Sequence, residues 1–472
     1  MGVIFKKEVE HLAKYKQKIV CLLDKFFSGQ SMNYRQVIAI FIPILIDQAF
    51  IICLNLLNTA MVSSSGVAAV SAVNMVDSLN IFLVNVFIAV ATGGTVVIAQ
   101  YKGVQNDAMV SKSTAGAITS VATLAVTISI LVIVFHTGTL NLLFGQAEAA
   151  VFHNARIYLI GSCISYPGIA VMEAVCGALR GIGKTKSSLT LSLILNLSYV
   201  FLNVVFINIL HMGVLGMVIS LNLARWFGLV CALVYLIKFN HSLNFHLKDV
   251  FHVDFSIIKR ILYIGIPFAA EQMFFNGGKI LTQTFIVQLG TLSMAVNAIS
   301  GSLVNLLQIS ANALCLTVVT VVGQCMGRRD IKDARKFIRS FLGAASFFCA
   351  ITAVVLLPLF PILIQLFSPP PEIIPEVFEI VLITAIVQPF VWPISFLTPA
   401  ALRAAGDSKF TSIVSMLSMW LFRVVLGYLL GIVLHFGILG VWVAMDAEWG
   451  VRGIIFYTRY KGKKWCSHHV ID

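Results

Sequence analysis

The stretch ALRGIGKTK at 178–186 returns later in the chain as ALRAAGDSK at 401–409. A second pair, PILIDQAF at 43–50 and PFAAEQMF at 267–274, is separated by the same offset to within one residue. A nearly constant offset over such distances indicates internal duplication. We therefore predict that the chain consists of two related halves.

Further matches extend the repeat in the same order along the chain. At the offset of the second pair, Gln100 falls on Gln324, Gly103 on Gly327, and GVLG at 213–216 on GILG at 437–440. Four matched motifs at one spacing are hard to obtain by chance. The repeat unit is therefore close to half of the 472 residues.

The composition excludes an ordinary water-soluble enzyme. Hydrophobic residues make up 59% of the chain and charged residues 11%, against about 25% charged in a usual soluble domain. A transmembrane helix needs about 20 mostly apolar residues, whereas β-barrel strands are shorter and alternate in polarity. Twelve apolar runs of helical length occur, at 37–61, 78–99, 115–136, 157–178, 188–210, 214–237, 261–288, 297–323, 341–366, 378–402, 411–434 and 438–457.

The fold class follows from the runs and the repeat together. Each repeat unit holds six runs, an even number, so both copies enter the membrane from the same side. We predict an all-α polytopic membrane protein with twelve transmembrane helices in two pseudo-symmetric six-helix lobes. The expected divisions are an N-terminal segment at 1–36, an N-lobe at 37–238, a linker at 239–260, a C-lobe at 261–458 and a tail at 459–472.

Loop charge predicts the orientation of the chain. The net charge of +13 could suggest a nucleic-acid partner in a soluble protein, but here Lys and Arg lie in short segments between apolar runs. The segments around Lys184, Arg329 and Lys409, which also contain Arg180 and Arg403, are basic, whereas 63–73 and 367–376 contain no Lys or Arg. By the positive-inside rule, both termini are cytoplasmic in a multi-pass plasma-membrane protein.

The N-terminal segment is predicted to be an amphipathic helix on the membrane surface, the alternative being a solvated tail. Its apolar residues recur at roughly helical spacing and face a row of lysines. The apolar set is Phe5, Val9, Leu12, Ile19, Leu22, Leu23 and Phe26, and the basic set is Lys6, Lys14, Lys18 and Lys25.

Two acids stand at equivalent depth, one in each predicted lobe. Asp47 and Glu271 each lie about 11 residues into their runs, about 17 Å deep at 1.5 Å per residue. Pro43 and Pro267 stand four residues before them, and each proline frees a backbone carbonyl, those of Ala39 and Tyr263. Intramembrane acids usually face a cavity or a partner, so both are coupling-ion candidates, the alternative being a structural hydrogen bond.

Weaker polar signals complete the candidate list. Asp77 precedes the second run, where a capping role competes with ion coupling. Pro389 and Pro393 interrupt the tenth run, and Trp392 between them could pack or stack on a cationic ligand. The substrate-cavity candidates are Gln48, Asn58, Asn203, Gln272, Asn276 and Trp392. Arg225, Arg423 and Arg452 could pair with Asp446 and Glu448.

Several stretches together carry a family resemblance. They are LLNTAMVSSSG at 56–66, VDSLN at 76–80, ATGGTVVIAQYKG at 91–103, ALRGIGKTK at 178–186 with the following Asn196 and Asn203, GIPFAAEQMFFNGGK at 265–279, WPISFLTPAALRAAGDSKF at 392–410 and SMWLFR at 418–423. As a set they resemble the multidrug and toxic compound extrusion (MATE) family of cation-coupled efflux transporters. The resemblance implies a V of two six-helix lobes, a central cavity for bulky, often cationic compounds, and antiport against H⁺ or Na⁺.

The chain departs from the family at its acidic positions. The first-helix acid of many members corresponds to Asn58, the fifth-helix acid of one branch to Asn203, and the seventh-helix Glu of another branch to Phe275. Asn can coordinate Na⁺ but cannot carry a proton. Asp47 and Glu271 therefore become the better candidates.

The predicted function is a cation-coupled antiporter that exports hydrophobic, cationic compounds by alternating access. A lipid-linked precursor flippase of the same superfamily is the alternative, and it would expect a cationic cavity for phosphate. An intramembrane enzyme is disfavoured because H-E-x-x-H and G-x-S-x-G motifs are absent. The expected partners are a small-molecule substrate and membrane lipids for a monomer, with no cofactor, metal or nucleic acid.

The predicted topology can be tested by cysteine labelling. A Lys332→Cys probe should stay unmodified when intact cells are treated with a membrane-impermeant thiol reagent, because the positive-inside rule places this loop in the cytoplasm. The same probe should react in everted vesicles. Labelling from outside intact cells would contradict the orientation.

Overall fold

The computed structural model describes residues 17–18, 20–63, 67–144, 149–239, 245, 249, 254–367, 369–468 and 470–471, without the side chains of 55–71 and 142–150. Asn58 is therefore a predicted site residue whose side chain lies outside the described part. The described residues form helices joined by short turns. No strand occurs among the described residues.

Twelve helical spans follow the twelve predicted apolar runs in order. In the N-lobe, span 1 is Tyr34–Ser63, span 2 Val67–Gly103, span 3 Asp107–Val134, span 4 Ala149–Gly181, span 5 Thr185–Ile209 and span 6 Gly213–Phe239. In the C-lobe, span 7 is Phe255–Gln288, span 8 Thr291–Leu307 plus Ile309–Gly327, span 9 Ile331–Gln365, span 10 Pro371–Ala404, span 11 Ser408–Val433 and span 12 Gly437–Lys461. The predicted fold class is confirmed.

Ten helices among the described residues are long and apolar enough to cross a membrane. Spans 7 and 12 are outside that set. Both contain buried ionisable residues, Glu271 in span 7 and Glu448 in span 12. Both are nevertheless long helices, of 34 and 25 residues, so length does not set them apart.

Local capping makes two spans start earlier than the apolar runs. Before span 1, the Asn33 side chain accepts a hydrogen bond from the Gln36 amide, and the Gln36 side chain accepts one from the Asn33 amide, both at 3.0 Å. This reciprocal pair is a capping box. Span 7 begins at Phe255, inside the predicted linker, because the Asp254 side chain caps the Ser256 amide at 2.9 Å.

Backbone geometry repeats the duplication seen in the sequence. Eight residues with positive φ form four pairs, all at the offset of the sequence repeat to within one residue. The pairs are Gln105 with Arg329, Gly183 with Gly406, His211 with His435, and Gly213 with Gly437. Because left-handed conformations are rare outside glycine, their recurrence indicates that equivalent turns in the two lobes have one design.

The predicted prolines lie inside continuous helices, and spans 5 and 11 bond to the backbone next to them. The carbonyl of Ala39, which Pro43 deprives of its usual donor, accepts a hydrogen bond from the Thr185 hydroxyl at 3.2 Å. In the C-lobe, the Ser408 hydroxyl donates to the carbonyl of Ile264 at 2.8 Å. This is the neighbour of the predicted Tyr263 carbonyl, so the contact is shifted by one residue.

The two lobes meet through a symmetric pair of hydrogen bonds. Gln100 of span 2 donates to the carbonyl of Ala404 in span 10 at 2.9 Å. Gln324 of span 8 donates to the carbonyl of Gly181 in span 4 at the same distance. Ala404 and Gly181 are themselves repeat-equivalent, so the two contacts are related by the pseudo-two-fold axis. We call this pair the glutamine seam.

Glycine allows the seam to close. A Cβ atom on Gly103 would overlap the carbonyl of Gln324, and one on Gly327 would overlap the carbonyl of Gln100. The repeated Q-x-x-G motif therefore provides a side-chain donor and, one turn later, a site of close backbone approach. Both residues of the motif are used in the same interface.

Among the described residues, the apolar contacts between the lobes lie on the side of the seam. One apolar core includes N-lobe residues together with span 7 and the ends of spans 8, 9, 10 and 12 nearest the seam, such as Ile261, Val322, Phe337 and Phe456. A second core contains C-lobe residues alone, among them Leu303, Val377 and Trp442. We call the seam side, which includes the start of span 1 and the end of span 12, the terminal side.

Blocking the close approach should open the terminal side. We expect Gly103→Val to shift the lobes apart there, because its side chain would overlap the backbone of Gln324. Spin labels at positions 112 and 332, measured by double electron–electron resonance, should show a longer distance than in the parent protein. Gly138→Val is the matched control, since a Cβ on Gly138 meets nothing within 4 Å. An unchanged distance in Gly103→Val would contradict the role of the seam.

Candidate functional site: buried charges in the two lobes

Glu271 is neutralised by an arginine of span 10. Its carboxylate lies 3.0 Å from Arg403 Nη1, and the Ser412 hydroxyl of span 11 donates to the same carboxylate at 3.0 Å. The side chains of Glu271 and Arg403 are each 10% exposed. The Arg403 guanidinium also lies over the Phe268 ring at 4.1 Å. This C-lobe acid is therefore buried, paired and held by three spans.

Asp47, the repeat equivalent of Glu271, has a different environment. The residue is 8% exposed, and its carboxyl group lies within hydrogen-bonding reach of Ser192. Its Oδ1 atom is buried and has no hydrogen-bond partner among the described residues. Arg180 is the repeat equivalent of Arg403, but it contacts Glu173 instead, at 3.6 Å. We call Asp47, Glu173 and Arg180 the N-lobe acid cluster.

The two lobes differ in charge and in access. In the C-lobe one carboxylate faces one guanidinium, whereas the N-lobe acid cluster has two carboxylates for one guanidinium. The Glu173 side chain is 27% exposed and that of Arg180 is 17% exposed. The N-lobe cluster is thus the more accessible of the two and carries one negative charge in excess when all three groups are ionised.

Sequence reasoning missed Glu173. It lies within the fourth apolar run, so the argument that singled out Asp47 and Glu271 applied to it equally. The repeat drew attention away from it because its counterpart in the second half is Phe396.

Asp77 lies inside span 2 and not at its end. The helix begins at Val67, so Asp77 is about 15 Å along it. Asp77 therefore does not cap the helix, and its role in ion coupling stays a prediction. Its Oδ1 accepts hydrogen bonds from Tyr158 at 2.8 Å and from Asn80 at 3.1 Å. Asp77 therefore belongs to an internal polar network.

That network extends across the half of the N-lobe remote from the seam. Tyr166 donates to Asn80 Oδ1 at 2.6 Å, and Arg225 donates to the Ser165 hydroxyl at 2.7 Å. The predicted site residue Asn203 is fully buried and donates a hydrogen bond to the Tyr199 hydroxyl oxygen. The structure thus brings Asp77 and Asn203 into one polar region of spans 2, 4, 5 and 6.

A second ionic group lies in the C-lobe. Glu448 contacts Arg452 at 2.9 Å and Arg423 at 3.3 Å, and its side chain is fully buried. Arg423 and Lys279 both line a cavity of about 200 Å³ between spans 7, 8, 11 and 12. Lys279 lies 4.8 Å from the Phe275 ring. The C-lobe cavity is therefore cationic, which acids in the repeat alone did not predict.

The remaining predicted residues lie apart from these clusters. Trp392 is 1% exposed and stacks on Phe396 at 4.9 Å inside the C-lobe core. Asn276 donates to the Gln272 carbonyl at 2.8 Å, and Gln48 is half-buried. At Pro393 span 10 widens into a π-helical turn, Pro393–Leu397, after the α-helix that contains Pro389. The cavity roles of these side chains stay predictions.

Duplicated six-helix lobes, joined on one side and containing buried ionic groups, define a membrane transporter of the two-lobe type. A family model described as MatE matches residues 43–206 and 267–429, once in each lobe. The chain belongs to this family, the multidrug and toxic compound extrusion transporters. The two matched ranges also coincide with the repeat found in the sequence.

Relatives cover nearly the full length of the chain. It is 27% identical to an uncharacterized transporter, YisQ, of Bacillus subtilis over 448 residues, 94% of this chain and 95% of that protein. It is 24% identical to a probable multidrug resistance protein, NorM, of Thermotoga maritima over 449 residues, 93% of this chain and 94% of that protein. The resemblance predicted from the sequence motifs is confirmed.

Solved structures show the same fold. One is an outward-facing conformation of a multidrug resistance MATE family transporter of the MOP superfamily, with a TM-score of 0.83 and 17% identity, covering 90% of this chain and 94% of that chain. Another is a MATE in the bent conformation, with a TM-score of 0.83 and 18% identity, covering 94% of this chain and 96% of that chain. At these identities the likeness concerns the fold.

The Glu271–Arg403 pair should be essential for stability. Arg403→Met should lower the free energy of unfolding by about 3–5 kcal/mol, because it leaves a buried carboxylate without its counter-charge. The double variant Glu271→Gln/Arg403→Met should recover part of the loss, which denaturant unfolding in detergent can measure.

The exposed pair of Lys102 and Asp107 provides the matched control. Its atoms are 2.9 Å apart, but its side chains are 32% and 59% exposed. Lys102→Met should therefore cost no more than about 1 kcal/mol. If Arg403→Met were as mild as Lys102→Met, Glu271 would not depend on Arg403.

Proposed function

We propose that the protein is a cation-coupled antiporter that exports hydrophobic, cationic compounds from the cell by alternating access. The N-lobe acid cluster of Asp47, Glu173 and Arg180 is the coupling-ion site in this proposal. Membership of the MATE family supports the transporter class. The observation that carries the coupling proposal is the excess carboxylate of the N-lobe beside the neutral Glu271–Arg403 pair of the C-lobe.

The excess carboxylate in the N-lobe favours the binding of a cation. Inside a membrane an uncompensated charge costs several kcal/mol, and acids there act as ion or proton sites. H⁺ removes the excess by protonation, and Na⁺ removes it by binding to carboxylate oxygens. A cationic substrate satisfies the same excess, so the coupling ion and the substrate compete for one group.

The buried Oδ1 of Asp47 supports this assignment. A buried carboxylate oxygen without a hydrogen-bond partner among the described residues is costly, and binding of an ion or proton there relieves the cost. The carboxylate of Glu271 already has hydrogen-bond donors, since Arg403 and Ser412 both donate to its Oε2 atom. We therefore assign ion coupling to Asp47 and a structural role to Glu271.

The cationic C-lobe cavity limits where a positively charged compound binds. Lys279 and Arg423 line that cavity and repel a cation. The N-lobe wall is negative by comparison. In the proposed mechanism the cationic group of the substrate faces the N-lobe, and the apolar part of the substrate lies between the lobes.

Alternating access requires the seam to open and close at low cost. Each neutral hydrogen bond of the glutamine seam contributes only about 0.5–1.5 kcal/mol. The two bonds add to the apolar core that joins the lobes on the terminal side, and in the proposed mechanism ion binding and substrate binding shift the population between two arrangements. With cytoplasmic termini, the seam-closed arrangement is the outward-facing one.

Neutral variants of the acids test the proposal. Asp47→Asn should reduce gradient-driven efflux of a fluorescent cationic dye at least tenfold in proteoliposomes, because Asn preserves size but cannot take up the charge of the coupling ion. The efflux assay is driven in turn by a pH gradient and by a Na⁺ gradient. The gradient that fails in the variant identifies the ion.

Controls separate coupling from folding. Glu173→Gln should weaken coupling, Glu271→Gln should chiefly lower stability, and Asp107→Asn, at an exposed site, should match the parent protein. All variants are compared at equal membrane abundance. Wild-type efflux in Asp47→Asn and in Asp47→Asn/Glu271→Gln would move the search for the ion site to the region of Asn58, Asp77 and Asn203.

A further inference from the structure

A large apolar groove lies on the terminal side of the molecule, outside the site described above. It has a volume of about 880 Å³ and is formed by the short N-terminal helix at 20–27 with spans 1, 8 and 9. Its apolar walls include Phe27, Phe41, Leu314, Phe341 and Phe348. A volume in this range is typical of a pocket for a small organic molecule.

Five cationic residues stand around the groove. They are Lys25, Lys332, Arg335, Lys336 and Arg339, and no Asp or Glu is among the lining residues. In the part of the chain that the structure describes, none of the five forms an ion pair with a carboxylate. Arg335 and Lys336 donate to the backbone carbonyls of Gly462 and Ser28, which leaves their charge uncompensated.

The groove also borders the region that lipid would occupy. Ile42 of span 1 is 43% exposed and Phe347 of span 9 is 63% exposed, and both line the groove. On the N-terminal helix, Phe26 is 46% exposed and Leu22 is 60% exposed. An apolar channel thus opens towards the hydrocarbon region. Its cationic edge lies on the terminal side, at the first turns of span 9.

We propose that this groove binds an anionic phospholipid of the leaflet on the terminal side. The phosphodiester is held by Lys25, Lys332 and Arg339, and an acyl chain lies along the aromatic floor. Basic pockets between transmembrane helices select anionic headgroups, since each nearby Lys or Arg adds electrostatic attraction. A free phosphate would leave the floor unused, and a zwitterionic lipid would leave the charge uncompensated.

The bound lipid would contact both lobes at once. Phe41 of the N-lobe stacks on Phe348 of the C-lobe with ring centroids 6.0 Å apart. Phe27 of the N-terminal helix packs edge-on against Phe341 at 5.5 Å. Because the groove walls come from both halves, a ligand in it stabilises the arrangement in which the seam is closed. The inference concerns binding and does not depend on the proposed coupling ion.

Native mass spectrometry of the purified full-length protein tests the headgroup. Phosphatidylglycerol and phosphatidylcholine are titrated separately, with glycerol 3-phosphate as a soluble competitor. We expect phosphatidylglycerol to bind at least about tenfold more tightly than phosphatidylcholine. Equal binding of the two lipids, or displacement of phosphatidylglycerol by glycerol 3-phosphate at comparable concentration, would overturn the proposal.

Charge variants test the assigned cations. Lys25→Gln/Lys332→Gln/Arg339→Gln should bind phosphatidylglycerol at least about tenfold more weakly than the parent protein. The control removes three exposed lysines from the same side of the membrane outside the groove, as Lys112→Gln/Lys186→Gln/Lys238→Gln. The control should stay within about twofold of the parent protein, and an equal loss in both triple variants would overturn the site.

A groove-filling variant tests the apolar floor without changing any charge. Gly343 lines the groove, and a Cβ atom there meets nothing within 4 Å. Gly343→Leu should fold normally and bind phosphatidylglycerol at least fivefold more weakly, because its side chain occupies the path of the acyl chain. Gly138→Leu, at an equally open position elsewhere, should bind as the parent protein does. Unchanged binding by Gly343→Leu would exclude the groove as the lipid site, even if the charge variants failed to fold.

Discussion

The low dielectric of the membrane interior requires each buried charge in this protein to have a counter-charge, a hydrogen-bond partner or a bound ion. In the C-lobe, Glu271 contacts Arg403, and Glu448 contacts two arginines. In the N-lobe, Arg180 contacts Glu173 and lies close enough to Asp47 to interact with it electrostatically, so one guanidinium stands beside two carboxylates. The unequal compensation of equivalent positions gives the two lobes different chemistry on one fold.

Duplication explains both the likeness and the difference. The turns with positive φ, the glutamine seam and the arginines at 180 and 403 all recur at the offset of the sequence repeat, to within one residue. These features control where spans begin, where the lobes meet and where a cation reaches into each lobe. Acids near the arginines have diverged, from Glu173 in the first half to Phe396 in the second. The helical scaffold is symmetric, whereas the acid at this pair of positions occurs in the N-lobe and not in the C-lobe.

Much of the fold could be predicted because helix length and apolarity in a membrane are local properties of the sequence. The twelve apolar runs correspond to twelve spans, and the repeated Q-x-x-G motif lies in the interface between the lobes. Span 2 begins at Val67, before the predicted run, because a hydropathy window does not extend a helix through weakly apolar residues. Apolarity likewise does not predict where a capping residue such as Asn33 begins a helix.

The site was predicted less completely, since pairing depends on how spans pack. Arg180 and Arg403 were interpreted as loop charges that set orientation, yet their side chains reach inward to Glu173 and Glu271. No one-dimensional pattern predicts which acid an arginine at a helix end will contact. The cationic cavity of Lys279 and Arg423 was missed for the same reason, since its members come from spans 7 and 11.

The glutamine seam connects these charges to motion. Gln100 and Gln324 bond to carbonyls at Ala404 and Gly181, and each of these carbonyls lies one residue beyond an arginine of the ionic groups. The hydroxyl of Thr320 in span 8 also donates to the carbonyl of Arg180 at 2.9 Å. A change in the charge that Arg180 compensates therefore acts on the same short backbone segment that the C-lobe holds. In the proposed mechanism, a change in ionic pairing at Arg180 alters these contacts, each a neutral hydrogen bond of about 1 kcal/mol, and so contributes to the shift between the two lobe arrangements.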